Sequence, residues 1–105
     1  MAKYFIRTAA TIDMDGIADY IAESNLKQAL AFYDEAEEVF SMIGDIPEIG
    51  AKVDFIEART YRMFPLRKFR RYIVFYMIEE GVPVIERVIH SSRDIEAALS
   101  EDDVV

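Results

Sequence analysis

Apolar residues recur at two different spacings along this chain, and the change of spacing divides it. "KYFIRT" (3–8) is a short apolar run that predicts a first or edge strand. In "AATIDMDGIADYIAE" (9–23), Ala10, Met14, Ile17, Ala18 and Ile21 fall on one face of a helix. Thr8 or Thr11 is placed to cap its start through the hydroxyl. Gly16 within it costs about 1 kcal/mol relative to Ala, which points to close packing or a weak helix. Asn25 with Gln28 predicts a capping box for a second helix. Its stripe is Leu26, Ala29, Leu30, Tyr33, Ala36, Phe40 and Ile43, widened by Phe32 and Val39, so it is the more buried of the two. The short Ser24-Asn25 link makes the pair an antiparallel hairpin, and Gly44 ends it.

Beyond Gly44 the pattern changes. "DIPEIG" (45–50) is a turn, because Pro47 disfavours a helical Ile46 and Gly50 tolerates positive φ. A stretch of mixed polarity reads as a loop. "RTYRMF" (59–64) is a strand ended by Pro65, and "RRYIVFYMI" (70–78) is a central strand rich in β-branched and aromatic residues. Glu80-Gly81 reverses the chain and "VIERVI" (84–89) is the hairpin partner. "DIEAALSEDDVV" (94–105) predicts one helical turn and then a frayed acidic end. The order β-α-α-β-β-β is that of an α+β fold, with a helical hairpin across one face of a sheet. A single domain over 1–98 and a flexible acidic tail over 99–105 complete the plan.

Composition narrows what such a fold can do. With 105 residues, 52% of them apolar, the chain can bury one real core. No run approaches the ~18 uninterrupted apolar residues of a membrane span, and the first residues lack the pattern of a signal peptide. The absence of cysteine removes disulfides, thiolate metal sites and thiol nucleophiles, and fits a reduced cytoplasm. A net charge of −8 argues against general affinity for nucleic acid. The charge is unevenly spread: residues 59–78 hold Arg59, Arg62, Arg67, Lys68, Arg70 and Arg71 and no acid, while the segments on either side are acidic. "DEAEE" (34–38) reads as the solvated face of the second helix.

His90 is the only histidine. As a general base it would need a nucleophile or acid within hydrogen-bond reach, and Ser91 and Ser92 are neighbours in sequence without being placed for that by sequence. The competing reading is a structural or interface histidine. No metal set is expected, since one histidine and unclustered carboxylates supply no ligand spacing, and no phosphate loop or nucleophile elbow is present. Arg87 is expected to cover sheet surface while its charge reaches water or an acid. Arg93 is placed to tie the tail to the sheet through a carboxylate. The basic island, interleaved with Tyr61, Phe64, Phe69 and Tyr72, admits three readings. It can accept an acidic peptide, balance the acidic helices within the fold, or stack and neutralise single-stranded nucleic acid.

Two long stretches, "DYIAESNLKQALAFYDEAEEVFSMIGDIPEIG" and "YRMFPLRKFRRYIVFYMIEEGVPVIERVIHSSRD", resemble the ParE toxins of the RelE/ParE superfamily. The likeness rests on Pro47-x-x-Gly50, Arg62-x-Phe64-Pro65, Tyr72-x-x-x-Tyr76 and Arg87-Val88-x-His90 ahead of Arg93-Asp94, in that order. It implies a helical hairpin on a small curved, mainly antiparallel sheet. It also implies the toxin half of a type II toxin–antitoxin pair serving plasmid stabilisation, inhibiting DNA gyrase and neutralised by a ParD-like antitoxin. The alternative within the superfamily is a ribosome-dependent messenger RNA endonuclease of RelE type. A third possibility is an adaptor that has lost its toxicity.

Residue by residue, the resemblance to RelE-type enzymes is broken. Arg62 falls where they place a catalytic-groove lysine, but Phe64 falls at a second basic position. Ile73 and Ser91 stand where arginines are expected, with Arg93 nearby. Too few cations remain to stabilise a transition-state phosphate. The expectation is therefore no enzymatic activity, no cofactor and no sequence-specific nucleic-acid binding by the chain alone. His90 becomes part of a turn shared with the family. Antitoxin or target binding is assigned to Arg59, Arg62, Phe64, Arg67, Lys68, Arg70, Arg71, His90 and Arg93.

Overall fold

A computed structural model describes residues 3–53 and 59–100. The chain runs β1 (Phe5–Ile6), α1 (Thr8–Ala22), α2 (Leu26–Asp45), a 3-10 turn (Pro47–Ile49), β2 (Ala51–Val53), β3 (Tyr61–Pro65), β4 (Tyr72–Glu79), β5 (Val82–His90) and α3 (Ile95–Ser100). The five strands form one mixed sheet in the order β1-β5-β4-β3-β2, with only the β1–β5 pairing parallel. The hairpin of α1 and α2 covers one face and α3 packs on the other. This is the expected α+β plan with one added strand. The last acidic residues, 101–105, lie outside the described residues.

Asn25 caps α2 as its sequence predicts, its Oδ1 accepting the Gln28 N–H at 3.1 Å. The start of α1 differs from expectation. Arg7 holds the cap position and no side chain caps it, so neither Thr8 nor Thr11 does so. In α2 the buried stripe is Ala29, Phe32, Ala36, Val39, Phe40 and Ile43, whereas Leu26 and Leu30 are exposed. The apolar stripe is thus rotated toward Phe32 and Val39, because Phe32 meets Phe69 of the β3–β4 connection and Tyr72 of β4 edge-on. The helix passes through Gly44 and ends at Asp45. At Gly16 an added Cβ would touch nothing within 4 Å, so close packing is not what keeps it glycine.

β4 and β5 are joined by Glu80 (φ 52°) and Gly81 (φ 81°), the two left-handed residues a tight hairpin reversal requires. Opposite Phe75 and Tyr76 the register shifts and leaves Glu86 as the extra residue of a bulge. The bulge turns both Ile85 and Val88 toward the helices and Ile89 to the opposite face. β2 is not expected from the sequence, in which 51–53 reads as loop. Three residues are too few for alternation to register, and pairing to β3 alone defines them.

Two helix carboxylates, the largely covered Asp13 and the buried Glu35, tie the helices to the sheet and to the loop 66–71. Asp13 of α1 takes Arg87 Nε at 2.7 Å and Nη2 at 2.9 Å, and also the Val88 N–H at 3.0 Å. Arg87 Nη1 donates in turn to the Ala98 carbonyl at 2.9 Å, so this guanidinium joins α1 to α3 around β5. Its charge meets an acid, as expected, but inside the protein. The second carboxylate is Glu35, only 6% exposed, which corrects the reading of 34–38 as wholly solvated; Asp34, Glu37 and Glu38 are exposed. Leu99, which the sequence reading assigns to the tail, is 1% exposed and packs with Ala98 against Phe75 and Ile89.

Candidate interaction site

The nine predicted binding residues separate into two groups. Arg62 lies on β3 and points its Nη1 at the carbonyls of Gly50 (2.6 Å) and Glu48 (3.1 Å). The same turn is pinned by Tyr76, whose hydroxyl donates to Pro47 O at 2.6 Å and accepts the Gly50 N–H at 2.8 Å. Burial pushes the Tyr76 phenol up, an effect opposed by the Gly50 N–H and Arg62. The Pro47-x-x-Gly50 turn, Arg62 and Tyr76 therefore form one structural unit. Gly50 must lack a side chain there, since a Cβ would sit 2.9 Å from the Met63 carbonyl and 2.7 Å from the Tyr76 hydroxyl. Arg59 is half-buried two residues before β3, close enough to Arg7 to oppose its charge. Phe64 is half-buried and packs into the helix-side core.

The second group gathers at the far end of the sheet. Leu66 is buried and Phe69 half-buried, and these apolar anchors alternate with exposed Arg67, Lys68, Arg70 and Arg71 in the loop 66–71. The loop is closed by the Leu66 N–H to Tyr72 O bond (3.0 Å) and the Tyr72 N–H to Phe69 O bond (2.9 Å). Beneath it, both Glu35 oxygens accept the Lys68 N–H at 2.9 and 2.8 Å, and Oε2 also accepts the Phe69 N–H at 3.1 Å. Arg67 leans back on α2, its Nη2 3.1 Å from Met42 Sδ. Ser91 N–H donates to the Arg71 carbonyl, and Tyr72 pairs with His90, so the loop and the 91–94 turn share one end of the molecule.

His90 stands edge-on against Tyr72, the ring centres 5.0 Å apart at 87°. Its Nδ1 accepts the Ser92 backbone N–H at 3.0 Å, which fixes the Nε2-protonated tautomer. The Ser92 hydroxyl is 2.8 Å from the same Nδ1, a proximity that sequence adjacency alone does not reveal. Because Nδ1 is already held by the backbone, the contact reads as a turn-closing bond. Arg93 is exposed, and among the described residues its side chain pairs with no carboxylate; the acids of the tail to which it is expected to bind lie outside the described residues.

A groove of about 360 Å³ opens beside this end, between Ile12, Gly16 and Tyr20 on α1, Tyr72 and His90 from the sheet, and Arg93 from the turn after β5. Ile12 and Tyr20 are 66% and 69% exposed. They lie four residues either side of Gly16, a spacing visible in the sequence once the helix is oriented. The aromatic residues of the basic island, by contrast, are not free to stack on bases: Tyr61 is 1% exposed, and Phe69 and Tyr72 set their rings edge-on against Phe32. Among the described residues no group of three or more His, Cys, Asp or Glu could hold a metal, and no helix is long and apolar enough to cross a membrane.

Comparison with curated protein sequences gives no match. A solved chain of the chromosomal ParDE TA system from P. aeruginosa superimposes with a TM-score of 0.69 at 18% identity, covering 86% of this chain and 96% of that one. At that identity the likeness speaks for the fold. The family of the ParE toxin of type II toxin-antitoxin system, parDE, matches residues 4–95, nearly every element from Tyr4 to the start of α3. The chain belongs to the ParE toxin family of type II toxin–antitoxin systems.

Proposed function

We propose that this ParE-family chain inhibits DNA gyrase by binding rather than by catalysis, in the cytoplasm, and that a ParD-like antitoxin silences it. The observation that carries the reading is the chemistry at the loop end of the sheet. Arg70, Arg71 and Arg93 are exposed cations there, while the only imidazole has Nδ1 committed to Ser92. A binding surface needs the cations alone; a ribonuclease needs an acid–base pair as well. Ile73 and Ser91, at positions where RelE-type enzymes carry arginine, remove further phosphate ligands. An acidic, partly apolar antitoxin segment complements the loop 66–71, with apolar anchors supplying affinity and the arginines setting encounter rate and register.

The test is induction of the protein alone in bacteria, with plasmid supercoiling, the DNA-damage response and messenger integrity followed together. Loss of supercoiling and a damage response with intact messengers is expected. Rapid cleavage of messengers at fixed sites with undisturbed supercoiling would replace this reading by the RelE-type one.

A further inference from the structure

Glu35 occupies an anomalous place. It lies three residues after Phe32 and four before Val39, on the buried stripe of α2, and no Lys or Arg pairs with it among the described residues. An ionised carboxylate taken from water is costly unless its oxygens are hydrogen-bonded. Here the partners are the backbone N–H groups of Lys68 and Phe69, which form a concave anion-binding turn filled from within. Such charge-assisted bonds are stronger than neutral ones. A leucine at this position would serve the core at no desolvation cost. What it could not do is fix the backbone of a loop that carries four like charges and would otherwise spread.

We propose that Glu35 is a positioning residue for partner binding: it holds the loop 66–71 so that Lys68, Arg70 and Arg71 face outward as one fixed cationic edge. The inference rests on the reading that this loop meets an acidic antitoxin segment. Its consequence has a sign that a merely electrostatic role would reverse. Removing an anion from beneath the loop raises the local positive potential and by itself speeds the approach of an acidic partner. Releasing the loop disperses the charges and slows productive encounter.

Glu35→Gln separates the two, since the amide keeps the size but offers one acceptor oxygen where two served. Association and dissociation with the purified ParD-like antitoxin would be measured for wild type, Glu35→Gln and Arg67/Lys68/Arg70/Arg71→Gln, with amide exchange on each free toxin. Glu35→Gln is expected to slow association by roughly three- to tenfold, leave dissociation little changed, and speed exchange at Lys68 and Phe69 but not in β4 or β5. If Glu35→Gln associates as fast as wild type or faster while the fourfold variant is slow, the positioning role is overturned and the docking site stands. If the fourfold variant associates at the wild-type rate, the docking site itself is wrong and the role of Glu35 falls with it. Should Glu35→Gln not fold, Glu35→Asp keeps the charge but draws it back from the loop, and the same criteria apply to it.

Discussion

The Arg87 clamp and the loop 66–71 use the same chemistry in opposite ways. Each depends on one helix carboxylate with little exposure, Asp13 of α1 reaching β5 and Glu35 of α2 reaching the loop. At the clamp the acid holds a guanidinium, so the positive charge is spent inside the protein; the two side chains are 8% and 11% exposed. At the loop the acid holds backbone N–H groups, and the positive side chains remain in solvent. Clustering of cations along the chain therefore does not identify their role. The partner of the nearby buried acid does: side chain in one case, main chain in the other.

The contrast is broken most severely at Arg87. Arg87→Ala leaves Asp13 buried without its counter-charge and the Ala98 carbonyl without this donor, and removing one partner of a buried pair costs about 3–5 kcal/mol. Chemical denaturation should register that loss, and amide exchange should accelerate in α3. Wild-type stability would mean that packing by Leu99, not the clamp, holds α3. Gly50→Ala comes next, at about 1–3 kcal/mol. Its Cβ meets a backbone carbonyl that cannot turn aside, and the strain should appear as a lowered melting temperature with β4 and β5 still paired. An unchanged melting temperature would show that the Pro47–Gly50 turn shifts freely.

On the other side of the comparison the expected stability changes are small. Replacing Arg67, Lys68, Arg70 and Arg71 together by Gln should alter unfolding free energy by no more than about 0.5 kcal/mol per site, while association with an acidic partner slows and loses its salt dependence. Arg93→Ala should be smaller still, within about 0.5 kcal/mol, with unchanged exchange over residues 94–100 because its side chain ties down nothing described there. Loosening of that segment in Arg93→Ala would reinstate the tie that the sequence predicts.

How far these roles were legible differs residue by residue. The β4–β5 hairpin was legible because Glu80-Gly81 sits between two apolar runs, and Asn25 because a cap is a local bond. Leu26 and Leu30 misled, since propensity and spacing cannot say which of two adjoining apolar faces meets the sheet; Phe32 and its ring contacts decide that. Glu35 left a usable signal: an acid at the spacing of Phe32 and Val39, hidden by the exposed acids around it. The Asp13–Arg87 pair left none, because 74 positions separate its members and only the fold brings them together. Of the residues expected to bind, Arg62 is bonded to the Pro47–Gly50 turn and Phe64 packs in the core, whereas the cations of 66–71 lie at one end with His90 and Arg93.

The central claim is action on DNA topology without catalysis, and purified components test it most directly. Gyrase would be given relaxed plasmid, ATP and increasing toxin, and programmed ribosomes the same toxin under matched conditions. The account predicts a loss of supercoiling at toxin levels that leave ribosome-bound messenger intact, reversed by prior addition of the antitoxin. Full supercoiling activity at toxin levels that cut the messenger would contradict it.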